Sequence, residues 1–523
     1  MKVYHTMSHD VSSLFPYGKI WVVKGVYTLK KVIVIGAGVA GLSAAIRLQS
    51  KGFQVHIYEK NDRVGGRMHQ FKDQGFTFDY GPTITMLPDE YRDVFLSSGV
   101  NPDDYLEMLP LNPLYTLYFP NQKPFTVSSY LPDLMKTLES FGEQEAQGYL
   151  NYIQDVYERY VRAKNHFLNK SYRKPLDFYN LKTLYHGLKL RTLGNAYNSI
   201  SKFVKSEVLR QALSFQTLYI GVSPFQGPSI YTIIPMIELL YGIHYIKGGM
   251  YQMAVAMEKR FKELGGVIHL NEEVEEILLE GNTGKGIISN GKHIDADIVL
   301  TNADFPWAVK HLIKDDKKRG KYKTRKLNKM SYSSSVMIMY LGLDKKYPRD
   351  VHSLKFASSF KKNIRDLFEN QVPEDPSFYM YSPSQIDPQM APEGKEVLYV
   401  LVPVPNTRGD DPWDEAYTKA YAHKVLDMMT KLDGLSDLKE HIEVMHISNP
   451  RDWEKKFHLN HGATFGLRTT LSQSLYFRPQ ATLKPLKNVY FTGSSTHPGP
   501  GVPIVLQAAK LAVSDILKDH PNA

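Results

Sequence analysis

The stretch Val32-Ile33-Val34-Ile35-Gly36-Ala37-Gly38-Val39-Ala40-Gly41 decides the fold of this chain. Its first four residues are apolar and β-branched, which is typical of a parallel strand buried on both faces. The GxGxxG spacing then turns the chain into a helix with apolar residues at helical intervals up to Gly52. Residues 54–59 have the pattern of a second strand. The segment therefore predicts a βαβ unit and an α/β fold.

The same unit predicts a dinucleotide cofactor. In a GxGxxG turn the first glycine makes the tight turn, the second admits a pyrophosphate, and the third packs the helix against the strand. These roles fall to Gly36, Gly38 and Gly41. Glu59 ends the second strand, where a carboxylate accepts hydrogen bonds from a ribose and repels a 2′-phosphate. A glycine-rich turn with an incidental surface acid is the alternative.

A second glycine pair, Gly65-Gly66-Arg67, favours FAD over NAD. A nicotinamide site has no need of another glycine pair followed by a cation. The backbone of both glycines can approach the cofactor, and Arg67 can donate charge-assisted hydrogen bonds to phosphate or flavin oxygens. An ordinary turn followed by a solvated arginine is the alternative. We predict FAD as the cofactor.

Composition narrows the functional classes. A chain of 523 residues is too long to fold around one ordinary hydrophobic core, which favours two domains with a site between them. The chain has no cysteine, so thiolate metal sites and thiol nucleophiles are excluded and redox chemistry requires a cofactor. The net charge of +10 is scattered along the chain, and we expect no nucleic-acid partner and no metal. Without a signal peptide or spanning helix pattern, we expect a cytoplasmic protein.

Longer motifs around these residues resemble the amine oxidase and phytoene desaturase superfamily. The similar segments are residues 59–68 and residues 76–83, which end in Gly81-Pro82-Thr83. In that superfamily the first segment holds the ADP half of FAD, and the second ends close to the flavin. Residues 490–503 resemble the signature of bacterial carotenoid desaturases that closes the flavin site. Ser494 stands where amine oxidases usually carry an acid, which favours the carotenoid branch.

The resemblance implies an FAD-binding Rossmann-like domain of the amine oxidase and phytoene desaturase type, with a discontinuous, partly helical substrate domain. It also implies a set of cofactor-binding residues that combines the motifs above with one strand residue and the C-terminal loop. The set is Gly36, Gly38, Gly41, Glu59, Gly65, Gly66, Arg67, Gly81, Pro82, Thr83, Val274, Gly493, Ser494, Gly499, Gly501, Val502 and Pro503.

Central segments at 217–221, 227–231 and 235–250 resemble the desaturases that act on C30 4,4'-diapophytoene. The resemblance implies successive double bonds formed by hydride transfer to flavin, giving 4,4'-diaponeurosporene or diapolycopene in staphyloxanthin-type carotenoid biosynthesis. A carotenoid oxygenase or isomerase on the same scaffold, and a non-catalytic prenyl-lipid carrier, remain alternatives. The catalytic base is unassigned. Its candidates are Glu238, the only acid in the apolar run 230–246, and His497 in the C-terminal loop.

The predicted domain plan spreads FAD binding over residues 29–90, 261–310 and 481–523. We expect a mainly helical, membrane-facing substrate domain at 91–260, its further strands and helices at 311–480, and an added tail at 1–28. Residues 266–270 and 274–278 are predicted to pair as strands, and residues 297–301 to return to the first sheet.

The expected partners are a long-chain isoprenoid hydrocarbon and the inner face of the cell membrane, contacted peripherally through 230–246. A homo-oligomer is left open.

Overall fold

The structure is a computed structural model that describes residues 29–521, so the predicted tail at 1–28 lies outside the described residues. The strands are β1 (Lys31–Ile35), β2 (Gln54–Tyr58), β3 (Gln70–Asp73), β4 (Phe76–Asp79), β5 (Met108–Pro110), β6 (Tyr115–Tyr118), β7 (Phe125–Val127), β8 (His244–Ile246), β9 (Val267–His269), β10 (Val274–Glu280), β11 (Thr283–Ser289), β12 (Lys292–Asp295), β13 (Ile298–Thr301), β14 (Ser335–Leu343), β15 (His352–Lys355), β16 (Phe378–Tyr381), β17 (Glu396–Val404), β18 (Ile442–Ser448) and β19 (Val489–Phe491). The helices are α1 (Val39–Gln49), α2 (Pro88–Leu96), α3 (Leu131–Glu139), α4 (Glu143–Ala163), α5 (Pro175–Phe178), α6 (Leu181–Leu190), α7 (Ala196–Ile200), α8 (Glu207–Ala212), α9 (Ile233–Tyr241), α10 (Gln252–Glu263), α11 (Phe305–His311), α12 (Thr324–Lys329), α13 (Phe360–Phe368), α14 (Glu415–Met429), α15 (Pro450–Phe457) and α16 (Val502–Asp519).

A five-stranded parallel sheet in the order β19-β13-β1-β2-β9 forms the nucleotide-binding unit. Side chains alternate along β1: Val32 and Val34 pack with α1, α10 and α16, whereas Ile33 and Ile35 pack on the opposite side with β10, β11 and α11. Both faces of the sheet are therefore covered, as the unbroken apolar run of β1 requires. Because the strands are parallel, the turns that follow β1, β2, β13 and β19 meet at one edge.

The second large sheet has seven strands in the order β18-β14-β17-β16-β15-β6-β7. Strand β14, the second in this order, is buried along its whole length. Val336 and Ile338 face the aromatic core beneath the helical region, and Met337 and Met339 face the core built on α14. A further core packs α3, α4 and α9 over this region. The sheet thus separates these two cores, and its Val336 side faces the site described below.

The structure corrects one strand pairing and adds detail to the helical region. Residues 266–270 and 274–278 were expected to pair, but β9 pairs in parallel with β2, and β10 pairs antiparallel with β11. Both segments have strand periodicity, yet the partner of a strand depends on contacts far away in the chain. Residues 91–260 are mainly helical, but they also contain the short strands β5 to β8. The predicted strand at 297–301, which returns to the first sheet, is confirmed.

Among residues 29–521, no helix is both long enough and apolar enough to cross a membrane.

Candidate active site

The glycine turn after β1 is shaped by contacts that leave no room for side chains. The amide of Gly36, which has a φ of +94°, donates to the Tyr58 carbonyl over 2.8 Å and so ties the turn to β2. A Cβ at Gly41 would lie 2.2 Å from the Gly36 carbonyl oxygen, and one at Gly38 would lie 2.5 Å from Asn302 Oδ1. Gly41 therefore permits the close packing of helix on strand, while Gly38 keeps the turn open to a ligand.

Glu59 lies directly under this turn with 5% of its surface exposed. Its Oε2 accepts from the Ala37 amide over 2.7 Å, and its Oε1 accepts from the backbone and side-chain nitrogens of Asn61 over 3.0 and 2.7 Å. Burial raises the pKa of Glu59, and the hydrogen bonds from Asn61 and Ala37 oppose that shift. The carboxyl group is thereby fixed in the wall of a cavity, where a sugar hydroxyl can reach it.

Arg67 joins the first glycine motifs to the C-terminal loop. Its Nη2 donates to Ser494 Oγ over 2.8 Å, and its Nη1 donates to the Thr464 carbonyl. Burial lowers the pKa of Arg67, and the nearby Asp304 carboxylate acts in the opposite direction. Ser494, the serine at the position where the sequence predicts no acid, therefore accepts a hydrogen bond from the cation. Gly65 completes the arrangement by donating to the Ala37 carbonyl over 2.9 Å.

The C-terminal loop ends at the beginning of α16. Gly501 precedes this helix and supplies no side-chain cap. The first amides of a helix carry a partial positive charge and bind anions when no side chain caps them. Gly501 and Val502 line the same cavity as Gly36 and Glu59, so α16 directs its N-terminus into the space that the glycine turn also borders.

Two adjoining cavities lie at the edge of the five-stranded sheet where these turns meet. Each has a volume of about 300 Å³, which is within the range of small-molecule sites. The first contains thirteen of the seventeen predicted cofactor residues: Gly36, Gly38, Glu59, Gly65, Gly66, Arg67, Gly81, Pro82, Val274, Gly493, Ser494, Gly501 and Val502. Thr83, Gly499 and Pro503 line the second cavity, and Gly41 lines neither because it packs against the strand. The glycine cradle, the buried acid, the cation and the uncapped helix start all fit the polar half of FAD.

The second cavity is mostly apolar. Its walls include Ile84, Met86, Leu168, Leu218, Ile233 and Phe356. It shares Gly81, Pro82, Tyr219, Pro500 and Gly501 with the first cavity. A group bound in the first cavity would therefore lie next to a molecule bound in the second.

The two candidate bases lie behind the cavity walls. Glu238 is fully buried and lines neither cavity, and its Oε2 accepts from the Tyr115 hydroxyl and the Gln216 amide, each over 3.1 Å. Burial raises the pKa of Glu238 to about 7. The Tyr219 hydroxyl lies near enough to affect this pKa, but it is not aligned for a hydrogen bond. These contacts favour a structural role for Glu238.

His497 also lines neither cavity. Its Nε2 donates to the Lys170 carbonyl over 3.0 Å, and its ring packs against the edge of Tyr172. Burial lowers the pKa of His497 to about 3, so the imidazole is neutral near neutral pH. Its neighbour Pro498 does line the apolar cavity. His497 thus acts as an anchor that holds the C-terminal loop against the residues around Lys170.

Several residues at the site were missed by the sequence reasoning. Asn302 follows β13 directly, and its Nδ2 donates to the Thr492 carbonyl over 3.2 Å, so it links two of the turns. The rule that ligands bind beyond the carboxyl ends of parallel strands was sufficient to find it. Tyr379 belongs to no motif, and Tyr219 lies in the segment 217–221, but the sequence carries no signal that places either side chain on the cavity wall.

Comparison with known proteins gives consistent similarities. A family model described as "Flavin containing amine oxidoreductase" matches residues 39–517. The 4,4'-diapophytoene desaturase (4,4'-diaponeurosporene-forming) of Staphylococcus aureus strain Newman is 43% identical over 496 residues, which cover 94% of this chain and 99% of that protein. An oxidoreductase from Methanosarcina mazei is 17% identical, with a TM-score of 0.63 and coverage of 93% of this chain and 100% of its own. Cyclohexylamine oxidase from Brevibacterium oxydans IH-35A is 13% identical, with a TM-score of 0.58 and coverage of 94% and 100%. The two solved structures resemble this chain in fold.

Proposed function

The chain belongs to the flavin-containing amine oxidoreductase family, and from that premise we propose that it is an FAD-dependent desaturase of 4,4'-diapophytoene. The predicted α/β fold class and the FAD cofactor are confirmed by the family match. The observation that carries the substrate is the 43% identity to a desaturase of this C30 hydrocarbon over 94% of the chain. The apolar cavity that adjoins the glycine-lined cavity supports the same conclusion.

The geometry supports a division of chemical roles between the bound cofactor and the side chains of the protein. FAD, when bound, supplies the acceptor for the hydride that an unactivated hydrocarbon loses, because no amino-acid side chain can accept a hydride. Arg67, Glu59 and the amides at the start of α16 would hold the cofactor. The walls of the apolar cavity align the polyene chain and exclude water while a positive charge develops on carbon. The cofactor contacts of individual residues remain predictions.

Pigment analysis tests this function directly. The protein is expressed in a strain that makes 4,4'-diapophytoene, and the extracted products are measured by absorption and mass. A desaturase gives products that lose two hydrogen atoms and shift to longer wavelength with every new double bond. A gain of oxygen would identify an oxygenase, and an unchanged mass would identify an isomerase. A protein without flavin that leaves the hydrocarbon unchanged would indicate a lipid carrier.

We further propose that the protein attaches peripherally to the inner face of the cell membrane, where its hydrocarbon substrate resides. The run 230–246, which the sequence suggested as the contact, is mostly buried, and in α9 only Leu240 and Tyr241 are exposed large apolar residues. The exposed apolar surface lies instead along 176–193. We name it the leucine face, and its members are Leu176, Leu181, Leu184, Tyr185, Leu188 and Leu193.

The leucine face has the properties of an interfacial helix. Its six side chains are between 56% and 88% exposed, and those on α6 recur at helical spacing. Residues 170–195 contain six lysines and arginines and one acid, a charge that favours anionic lipids by about 1 kcal/mol for each basic residue near the surface. Leu190, on the opposite side of α6, packs with Phe167. The next residue in the chain, Leu168, lines the apolar cavity. This arrangement supports an entrance from the membrane to the apolar cavity.

Flotation with vesicles tests the membrane proposal. We expect the FAD-loaded protein to float with vesicles of phosphatidylglycerol and less well with neutral phosphatidylcholine, and high salt to reduce that difference. A protein that stays at the bottom of the gradient with both lipids would refute the attachment.

A further inference from the structure

The Tyr379 hydroxyl is a polar group on the wall of the apolar cavity that two other side chains hold in a defined position. The Tyr379 hydroxyl lies 2.7 Å from Thr83 Oγ1 and 2.7 Å from Nδ1 of His352. Tyr379 and Thr83 both line the cavity, whereas His352 is 1% exposed and lies behind them. The His352 ring stacks on Tyr381 with centroids 5.2 Å apart, so its position is fixed by packing as well as by the hydrogen bond.

This chain of side chains lies beside the boundary with the cofactor cavity. Thr83 directly follows Gly81 and Pro82, which line both cavities. The Tyr379 ring is 6.2 Å from the ring of Tyr399, whose hydroxyl donates to the Gly81 carbonyl over 2.9 Å. The Tyr379 hydroxyl is therefore placed along the apolar cavity close to where hydrocarbon and cofactor would meet.

Removal of a hydride from the hydrocarbon leaves a cation that must then lose a proton, and the apolar walls around it offer few acceptors. We propose that the Tyr379 hydroxyl is the catalytic group that receives this proton and that His352 is the positioning residue that takes the tyrosine's own proton at Nδ1. The proposal rests on the desaturase function stated above. The C–H bond next to the cationic carbon breaks, and its electron pair becomes the new double bond. The hydrocarbon thus loses one hydride, which FAD would accept, and one proton, which passes to the Tyr379 hydroxyl while the tyrosine's own proton passes to Nδ1 of His352. Together they account for the two hydrogens lost.

The surroundings of His352 support this role. Burial lowers the pKa of His352 to about 3, so its imidazole is neutral near neutral pH and one ring nitrogen has a free lone pair. The proposal requires the tautomer that carries its hydrogen on Nε2, with the Tyr379 hydroxyl donating to Nδ1 and the Thr83 hydroxyl donating to Tyr379. A weak base is sufficient, because an allylic cation is a far stronger acid than an imidazolium ion.

Tyr379→Phe tests the hydroxyl with the ring left in place. The matched control is Tyr421→Phe, which removes another buried hydroxyl, one that donates to the Pro373 carbonyl over 2.8 Å in the separate core on α14. We expect kcat of Tyr379→Phe to fall about 100-fold or more, in the range typical of a lost acid–base group. KM, FAD content and the affinity of the reduced enzyme for 4,4'-diapophytoene should match those of the control. A kcat within about threefold of the control would overturn the proposal.

His352→Asn tests the second residue and also serves if Tyr379→Phe does not fold. Asparagine keeps an acceptor near the position of Nδ1 but cannot hold the proton. We expect a lower kcat with unchanged KM and unchanged substrate affinity, whereas wild-type kcat in this variant would overturn the transfer to His352. Wild-type protein is assayed in parallel. If it forms no new double bonds the proposed function itself has failed, whereas an active wild type beside a fully active Tyr379→Phe refutes only this inference.

Discussion

Replacing two residues of the leucine face should separate membrane attachment from folding. Leu184 and Leu188 are 59% and 67% exposed, and full burial of a leucine contributes about 1.5 to 3 kcal/mol. Covering their exposed parts with lipid therefore contributes about 2 to 4 kcal/mol for the pair. The variant Leu184→Gln/Leu188→Gln should bind vesicles about 30-fold to about 700-fold more weakly than the wild type, since about 1.4 kcal/mol corresponds to a factor of ten. Glutamine keeps the helix propensity of α6 and adds no charge.

The assay is flotation over a range of phosphatidylglycerol concentrations, which yields a partition constant for each protein. Leu96→Gln is the control, because Leu96 is also 59% exposed but lies at the end of α2, outside the leucine face. The melting temperature and flavin content of both variants should equal those of the wild type, because the changed side chains are exposed in the free protein. If the double variant partitions as strongly as Leu96→Gln, the leucine face is not the membrane contact.

The remaining predictions concern the cofactor site and the buried acid. Gly41→Ala places a methyl group against the Gly36 carbonyl oxygen and should cost about 1 to 3 kcal/mol in urea unfolding, whereas Gly194→Ala, with open space around its Cβ, should be neutral. Arg67→Ala should weaken FAD binding about 10-fold to about 150-fold in a fluorescence titration, because a charge-assisted hydrogen bond contributes about 1.5 to 3 kcal/mol. An unchanged affinity would contradict the link to the C-terminal loop. Glu238 has a pKa raised from 4.5 to about 7, so the folded protein binds this proton more tightly and loses stability as the pH rises through that interval. Glu238→Gln should remove that loss, raise the melting temperature above pH 7 and keep desaturation, and a melting temperature that depends on pH as in the wild type would contradict the assignment.

The parts of the fold that depend on neighbouring residues could be predicted from the sequence. Strand, glycine turn and helix follow one another from Val32 to Leu48, and the third glycine packs on the first within the same turn. The pairing of β9 could not be found in this way, because its partner β2 lies about two hundred residues earlier. Periodicity identifies a strand but does not choose its neighbour.

The membrane-facing surface illustrates a different limit. The run 230–246 is the more apolar segment, and the structure buries most of it. Residues 181–190 are less apolar, yet Leu181, Leu184 and Leu188 remain exposed. A sequence pattern shows that a helix has an apolar side but does not tell whether protein or lipid covers it. The Thr83, Tyr379 and His352 group is hidden for a similar reason, since Thr83 lies 296 residues before Tyr379 in the chain.

The hydrogen bond between Arg67 and Ser494 spans 427 residues and has a consequence for synthesis of the protein. The edge strand β19 and helix α16 complete the nucleotide-binding sheet and its helical layer, and both lie in the last segment of the chain. A ribosome must therefore synthesise the 427 residues from Arg67 to Ser494 before the flavin pocket can close. Prematurely terminated chains lack the loop and the start of α16, so we expect them to retain no flavin. Cofactor loading would then distinguish finished molecules from truncated ones, and flavin content would report the fraction of full-length, folded protein in a cell.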